Sequence, residues 1–383
     1  MLFRSGIVSF LTDVSSEMIA PLMPLFLSTT LGASPWALGL IEGLAEAIAS
    51  VLKLNSGLWA DRGISKKKMI LIGYGISGAL RPTIGFAQNW VDVLLIRSSD
   101  RIGKGLRTSP RDALIADSVD ANSRGAAFGF HRAMDHAGAV VGPLVTTFLM
   151  IFFALTERQV FLWASIPAIF AFLVIIFWVK DEKNDAAQVV QKKTFSFAQF
   201  PPSFRWVLAA LFVFTLGGSS DAFLLLKLHE TGIATSTITL LWALFHIVKM
   251  LSSRWGGGLS DRWGRAKTLI CGWTLYSVVY VLFSIDLPQS SFIIVFLIYG
   301  VYYGLTEAAE KAWMVDLAPV NLKGTALGIY NSIVGFGSLP ASLLFGIIWQ
   351  KYSSHSAFIF GSICSVIGTL MIILIQNRSK KLI

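Results

Sequence analysis

The sequence contains few charged residues. Asp, Glu, Lys and Arg together make up 14% of its 383 residues, whereas they make up about 25% of a typical soluble domain. Apolar residues make up 54% of the chain, and they recur in runs of about 20 residues, long enough for a helix to cross a bilayer. Inside lipid, a helix satisfies its own backbone hydrogen bonds. The bulk of this chain is therefore predicted to be an all-α integral membrane protein.

Cysteine and histidine are also scarce, with two and five residues respectively. Cys271 and Cys364 both lie in apolar runs, where we expect them to pack as small hydrophobic residues and not to form a disulfide or a metal site. The sequence shows no pairing of a nucleophile with a base, no cluster of metal ligands and no phosphate-binding loop. We therefore expect no enzymatic activity, no metal and no cofactor.

Twelve membrane-spanning helices are predicted from the apolar runs. They cover about residues 5–29, 34–58, 67–88, 92–116, 123–153, 158–179, 204–228, 235–256, 265–285, 291–316, 323–348 and 355–376. The first run includes Asp13 and Glu17, which the core of a cleavable signal peptide tolerates poorly, so we expect no such signal here. The intervening polar stretch contains Pro201-Pro202 and indicates a linker. These features predict a six-helix bundle at 1–180, a linker at 181–203 and a second six-helix bundle at 204–383.

The net charge of +10 is concentrated in the loops on one side of the predicted helices. Lys and Arg are frequent in these loops and in the linker, whereas the loops on the other side hold only Arg158 and Lys351. Positively charged loops stay in the cytoplasm, which places both termini and the linker there. We expect a monomer in the bacterial inner membrane, in contact with lipid and not with nucleic acid.

One short sequence occurs twice, in corresponding places of the two halves. Residues 57–62 read Gly-Leu-Trp-Ala-Asp-Arg and residues 257–262 read Gly-Gly-Leu-Ser-Asp-Arg. Each copy follows a long apolar run and precedes a basic cluster. The repeat extends further, because Asp117 with Arg124-Gly125 matches Asp316 with Lys323-Gly324. Two parallel six-helix halves, related by an axis along the membrane normal, form one of the architectures of transporters.

These motifs resemble the major facilitator superfamily over essentially the whole chain. The loop signature of that family, Gly-x-Leu-x-Asp-Arg-x-Gly-Arg-Lys, is matched well by residues 257–267. In the first copy Gly63 and Ser65 replace the usual Gly-Arg, so we expect its turn to differ. The resemblance implies a transporter that alternates between inward and outward openings. It also implies a role in proton coupling for Arg97, and it likens Gly138-x-x-x-Gly142-Pro143 to a motif enriched in the antiporters of the family.

The two repeated loops are candidate gates. An Asp at a cytoplasmic helix end can accept hydrogen bonds from the N-terminus of a neighbouring helix, whose dipole favours negative charge. Asp61 and Asp261 are therefore predicted to latch the cytoplasmic side. In the alternative interpretation, both residues only cap and solubilise a tight loop. The predicted gating residues are Gly57, Asp61, Arg62, Gly257, Asp261, Arg262 and Arg265, together with Gly138, Gly142 and Pro143.

Several charged residues lie inside the predicted helices, where each one costs about 2.5–3.5 kcal/mol. Asp13 and Glu17 are four residues apart and share one face of the first helix. Positions 97, 101, 104 and 111 share one face of the fourth helix. In one interpretation these residues form a structural network of buried ion pairs. In the other they work in transport, because a carboxylate that moves from water into a dry interface binds a proton, and a cation there releases one.

The functional interpretation gives a defined set of candidate residues. The predicted proton-coupling residues are Asp13, Glu17, Glu46 and Arg97; the predicted substrate-binding residues are Arg101, Lys104 and Arg107 in the first half and Asp221, His246 and Glu307 in the second. The basic face of the fourth helix favours an anionic substrate.

The predicted function is therefore a proton-coupled secondary transporter of a small organic anion, such as a carboxylate metabolite or a carboxylate-type siderophore or metal chelator. The Gly-Pro motif favours efflux by antiport, with uptake by symport as the alternative. Multidrug efflux of lipophilic cations is less favoured, because a cation would meet the basic face of the fourth helix. A channel or sensor, a lipid flippase and an integral membrane enzyme are alternatives from other classes.

Overall fold

The structure is a computed structural model and describes residues 2–117, 119, 124–178, 197–319 and 322–380. Within these residues, helices follow one another through short connections, and there is no β-strand. The predicted all-α architecture is confirmed. Residues 181–196 of the predicted linker lie outside the described part of the chain.

The helices of the first half correspond to the first six predicted spans. They are α1 (Leu2–Ile19), the short α2 (Met23–Leu25) with a π-helical turn (Phe26–Thr30), α3 (Pro35–Asp61), α4 (Lys66–Leu80) with a 3-10 turn (Arg81–Phe86), α5 (Trp90–Asp117), α6 (Arg124–Phe152), α7 (Glu157–Trp163) and α8 (Ser165–Trp178).

The helices of the second half follow the same order. After a 3-10 turn (Phe197–Gln199) they are α9 (Pro202–Gly217), α10 (Asp221–Glu230), α11 (Thr235–Trp263), α12 (Arg265–Phe283), α13 (Gln289–Leu317), α14 (Lys323–Lys351) and α15 (Ser354–Lys380).

Ten segments in the described ranges are long and apolar enough to cross a membrane. The other two predicted spans correspond to α3 and α5, which are 27 and 28 residues long. Both helices exceed the length of about 20 residues that a bilayer requires, and both carry charged residues along that length. Charge inside a span is tolerated where it faces other helices or water, so α3 and α5 complete the set of twelve.

The seventh predicted span is interrupted near its middle. α9 ends at Gly217 and α10 begins at Asp221, although the hydropathy is continuous there. The Ser220 hydroxyl oxygen accepts a hydrogen bond from the backbone N–H of Ala222 at 3.3 Å, which caps the new helix. The interruption places Asp221 in the first turn of α10, where the helix dipole favours a negative charge.

The described chain divides into two compact units that exchange one segment each. Ser34–Gly43, which includes the start of α3, belongs to the second unit, and Ala234–Ala243, which includes the start of α11, belongs to the first. The two exchanged segments occupy matching positions of the sequence repeat. The internal duplication therefore extends from the loop motifs to the packing of the second span of each half. The bundle boundaries at 180 and 204 stay a prediction.

Two glycines of α6 allow it to lie against α1 in the first unit. A Cβ atom on Gly138 would lie 2.6 Å from the backbone oxygen of Phe10 and 2.8 Å from the Cβ of Asp13; one on Gly142 would lie 3.0 Å from the Cβ of Glu17. The two distances at Gly138 are shorter than real Cβ atoms show, and the distance at Gly142 is tighter than most real Cβ contacts. The Gly138-x-x-x-Gly142 motif therefore brings the backbone of α6 against α1 at the level of its two carboxylates.

Adding a methyl group at this contact should destabilise the protein. Gly142→Ala is expected to cost about 1–3 kcal/mol, since its Cβ would meet the backbone of α1, and to lower the thermal unfolding midpoint in detergent. Gly129→Ala is the matched control, because Gly129 lies on the same helix and has open space where a Cβ would stand. Equal midpoints for the two variants would contradict the close packing of α1 and α6.

Candidate functional site

The most buried charges of the first unit form an ion pair between α5 and the turn after α4. The Arg81 Nη2 donates to the Asp100 Oδ1 at 2.9 Å, and the two residues are only 3% and 1% exposed. The Arg97 Nη1 lies 4.0 Å from the other carboxylate oxygen of Asp100. Arg97, a predicted proton-coupling residue, is therefore part of a buried group of two arginines and one carboxylate.

The sequence analysis assigned no role to Arg81. Its position inside the predicted span 67–88 is the signal that could have identified it, because an arginine within a span requires a partner. The identity of that partner, 19 residues further along the chain, is visible only in the structure.

Arg107 is held by α4. Its Nη1 donates to the Ser77 Oγ at 2.6 Å, and its guanidinium group lies 4.5 Å from the centre of the Tyr74 ring. The Ser77 hydroxyl in turn donates to the backbone oxygen of Asp100 at 3.1 Å. Arg107 is buried, so its surroundings correspond to the structural network that the sequence analysis weighed against substrate binding.

Glu46 of α3 faces the basic side of α5. Its carboxylate lies 3.7 Å from the Lys53 Nζ, and Lys104 and Arg101 are the next cations that act on it. The side chains of Glu46 and Lys53 are 40% and 35% exposed. This predicted proton-coupling residue and two predicted substrate-binding residues therefore lie together in a more open part of the unit.

A second acidic group forms where α1 meets α6. Asp13 of α1 lies within electrostatic range of Asp135 and Glu17 and of the cations Arg111 and Lys104. The Ser9 hydroxyl donates to the Asp135 Oδ1, and the Arg111 Nη1 donates to the Ser9 Oγ at 3.4 Å. Two carboxylates from different helices thus share one polar region with the basic face of α5.

His131 and Asp135 extend this acidic group along α6. The Nδ1 of His131 lies 3.8 Å from the Oδ1 of Asp135, and the imidazole is buried. No role was predicted for either residue from the sequence. The sequence pattern that could have identified them is their spacing of four residues on the helix that also carries Gly138.

Glu17 has a partner far away in sequence. The indole Nε1 of Trp242 donates to the Glu17 Oε2 at 2.8 Å. Trp242 belongs to the part of α11 that is grouped with the first unit. A neutral donor of this kind holds a carboxylate in place without adding a positive charge.

In the second unit, two tyrosines hold Asp221. The Tyr299 hydroxyl donates to the Asp221 Oδ1 at 2.9 Å, and the Tyr303 hydroxyl donates to the same oxygen at 2.8 Å. The Lys249 Nζ lies 3.8 Å from the centre of the Tyr303 ring, a favourable cation–π position. The predicted substrate residue Asp221 is therefore surrounded by aromatic side chains and by one cation.

The other two predicted residues of the second unit lie near this cluster in sequence but have different partners. His246 stands edge-on to Phe245, with the ring centres 5.5 Å apart. The carboxylate of Glu307 pairs with the Lys311 Nζ at 3.0 Å on the more exposed part of α13.

The two repeated loops differ in length, as expected from their sequences. Four residues separate α3 from α4, whereas Gly264 alone separates α11 from α12. Gly63 and Gly264 both have a positive φ, of 86° and 90°, a conformation that favours glycine. The predicted glycines Gly57 and Gly257 are not at close contacts: a Cβ on Gly57 would have its nearest neighbour at 3.5 Å, and one on Gly257 would meet nothing within 4 Å.

Arg265 forms the ion pairs of the second loop. Its Nη1 donates to the Asp261 Oδ1 at 2.5 Å, and its Nε donates to the Asp316 Oδ2 at 3.0 Å. The donor to Asp261 is thus the first side chain of α12. Arg62 and Arg262 are exposed, and the side chain of Asp61 lies outside the described part of the structure. The gating role of these residues stays a prediction.

The described residues include no group of three or more His, Cys, Asp or Glu side chains that could hold a metal ion.

Twelve helical spans with ionisable side chains buried among them define a multi-pass membrane transport protein. The model of the Major Facilitator Superfamily matches residues 6–230 and 208–382. The chain belongs to this family, which confirms the resemblance seen in the sequence.

Individual relatives are consistent with this assignment. An uncharacterised MFS-type transporter of Methanocaldococcus jannaschii is 32% identical over 376 residues, which cover 97% of this chain and 93% of the relative. A probable 4-methylmuconolactone transporter of Cupriavidus pinatubonensis is 24% identical, with 87% and 82% covered. A crystal structure of a point mutant of the nucleoside transporter NupG has the same fold, with a TM-score of 0.84, 13% identity and 98% and 99% covered.

The buried ion pair of the first unit should be essential for folding. Asp100→Asn would leave Arg81 without its partner carboxylate, and breaking such a pair costs about 3–5 kcal/mol. Thermal unfolding in detergent measures this loss. Asp286→Asn serves as the control, because the side chain of Asp286 is 91% exposed in its pair with His355 and such pairs contribute little.

A paired replacement tests the cause of this loss. Arg81→Met combined with Asp100→Leu removes both charges, and it should recover much of the stability that Asp100→Asn loses. An Asp100→Asn protein that unfolds at the wild-type midpoint would contradict the importance of the pair.

Proposed function

We propose that this protein is a proton-coupled secondary transporter of a small organic anion, working by alternating access and binding the proton and the anion together, as in symport; efflux by antiport is the alternative. The observation that carries this proposal is the meeting of Asp13 and Asp135 with Lys104 and Arg111 in the first unit. This group combines proton-binding side chains with cations that attract an anion.

Proton binding is supported by the proximity of the two carboxylates. Carboxyl groups that share one site resist ionising together and share a proton readily. Asp13 and Asp135 belong to different helices, α1 and α6, which touch through Gly138 and Gly142. A change in the proton held between these carboxylates would therefore act directly on a helix–helix contact.

Anion binding is supported by the basic face of α5. Lys104 acts on both Asp13 and Glu46, so an anionic substrate would compete with these carboxylates for one ammonium group. Proton and substrate are then coupled, because a proton on the carboxylate and an anion on the ammonium group both weaken the same ion pair and so favour each other's binding. The relative named as a probable 4-methylmuconolactone transporter has a small organic molecule as its named cargo, which supports a solute of similar size.

The proposed cycle follows from this competition. When Asp13 and its neighbours are ionised, they occupy Lys104 and Arg111. When a proton binds, these cations become available to the substrate anion, and substrate release on the other side restores the ion pairs. Proton and anion then cross the membrane in the same direction, provided that each opening exposes the site to one compartment at a time.

Neutralising the acidic face of α1 should abolish coupling. Asp13→Asn combined with Glu17→Gln is expected to remove transport driven by an imposed pH gradient in proteoliposomes, since neither side chain can then bind or release a proton. Asp286→Asn, at an exposed position, should transport like the wild type. Unchanged gradient-driven transport in the double variant would contradict the coupling proposal.

The same double variant distinguishes antiport from symport. Its neutral side chains imitate the protonated state, in which an antiporter binds substrate poorly and a symporter binds it well. Wild-type substrate counterflow without a gradient would support symport, whereas weak counterflow would overturn the proposed direction and favour antiport.

Removing the shared cation should weaken substrate binding more than folding. Lys104→Gln is expected to raise the dissociation constant of an anionic substrate by about 10- to 100-fold, the effect of losing a hydrogen bond to a charged group. Thermal-shift titration with a panel of carboxylates and metal chelators measures binding, and detergent-solubilised yield measures folding. A proportional loss of yield and binding would support a purely structural network instead.

A further inference from the structure

The second unit contains a buried carboxylate that the proposed function does not use. Glu310 of α13 is 8% exposed. Its Oε1 accepts a hydrogen bond from the Trp273 indole Nε1 at 3.1 Å, and its Oε2 accepts one from the Tyr330 hydroxyl at 2.8 Å. These donors come from α12 and α14, so Glu310 joins three helices. Both donors are electrically neutral.

The charged neighbours of Glu310 are paired with each other. Lys311 and Glu307, on the same helix, form an ion pair at 3.0 Å, with side chains 39% and 42% exposed. Tyr302 on the same helix and Tyr330 are titratable side chains on which the charge of Glu310 acts. Within the described residues, none of the ion pairs includes Glu310. An unpaired carboxylate is costly to bury, unless it spends part of its time neutral.

We infer that Glu310 is a second proton-binding site of this transporter, held between Trp273 and Tyr330 in the second unit. The inference extends the proposed proton coupling, and it implies that protons bind in both units. A transport cycle that used both sites would move more than one proton for each substrate.

The two donors differ in a way that suits a group with two protonation states. An indole N–H can only donate, whereas a phenol hydroxyl can donate or accept. When Glu310 is ionised, both partners donate to it. When a hydronium ion delivers a proton to the Oε2, an O–H bond forms there and water is released. The new O–H then donates to the Tyr330 oxygen, while Trp273 continues to donate to the Oε1.

The surroundings keep this geometry fixed. The Trp273 ring stacks on Phe214 with 4.3 Å between ring centres and 9° between planes, and Trp273 is fully buried. The indole therefore points at the same carboxylate oxygen in both protonation states. A purely structural function would not require the cost of burying a carboxylate, because well-packed apolar side chains stabilise a helix contact as well as buried polar groups do.

Infrared spectroscopy of the purified full-length protein in detergent tests the inference without transport. The C=O stretching band of a protonated carboxyl group should rise and fall with pH in the wild type. Glu310→Gln has nearly the same shape and should abolish one component of this band, whereas Asp286→Asn removes only its own exposed carboxyl group and should leave the component that depends on Glu310 unchanged. A wild-type spectrum in Glu310→Gln would overturn the inference.

Tyr330→Phe provides a second measurement on a chain that keeps the carboxyl group. It should retain the Glu310 component but shift its pH midpoint by about one unit, because the hydrogen bond from Tyr330 stabilises the two protonation states unequally. An unchanged midpoint would contradict the switching role of the hydroxyl.

The result is separable from the proposed function. If the Glu310 component titrates but the wild type shows no gradient-driven transport, proton binding in the second unit stands and the coupling proposal fails. If transport is driven by the gradient but no component depends on Glu310, the coupling proposal stands and proton binding by Glu310 fails.

Discussion

A charge inside a bilayer must have a partner or water, and this constraint organises both units of the protein. The first unit meets it mainly with ions: Arg81 and Asp100 neutralise each other, Arg97 lies beside them, and one neutral donor, the Trp242 indole, binds Glu17. The second unit meets it with neutral donors, since phenol and indole groups bind Asp221 and Glu310. In an ion pair the opposite charge compensates the carboxylate, whereas a phenol or indole donor leaves the net charge of the carboxylate unchanged. The two units therefore offer different environments for a proton.

This difference arises within a duplicated architecture. The loop motifs at 57–62 and 257–262 match, and the exchanged segments Ser34–Gly43 and Ala234–Ala243 occupy equivalent places. The duplication therefore preserves the backbone arrangement that a two-fold transporter needs. The side chains within it have diverged, with cations collected on α5 and aromatic rings collected on α12 and α13. Equivalent helices of the two halves thus carry different side-chain chemistry.

Apolar runs were sufficient to predict the number and approximate limits of the helices, because span length is set by the bilayer and not by partner residues. They did not reveal the interruption between Gly217 and Asp221, where hydropathy stays high and a serine cap makes the break. Helical periodicity placed Asp13 and Glu17 on one face, but no sequence rule identifies their neighbours Asp135 and Trp242, which lie on other helices. Arg107 illustrates the opposite case: its position on the basic face favoured substrate binding, and only the structure reveals that packing against α4 holds it.

The unequal lengths of the two repeated loops have a mechanical consequence. Each residue contributes only two rotatable backbone angles, so Gly264 alone gives α11 and α12 very few independent ways to move against each other, and Arg265 ties this corner further to α13 through Asp316. The four residues between α3 and α4 provide several times as many degrees of freedom. The short connection between α11 and α12 is therefore stiff, so a displacement of one helix moves the other. The longer connection between α3 and α4 is flexible, so either helix can move without the other.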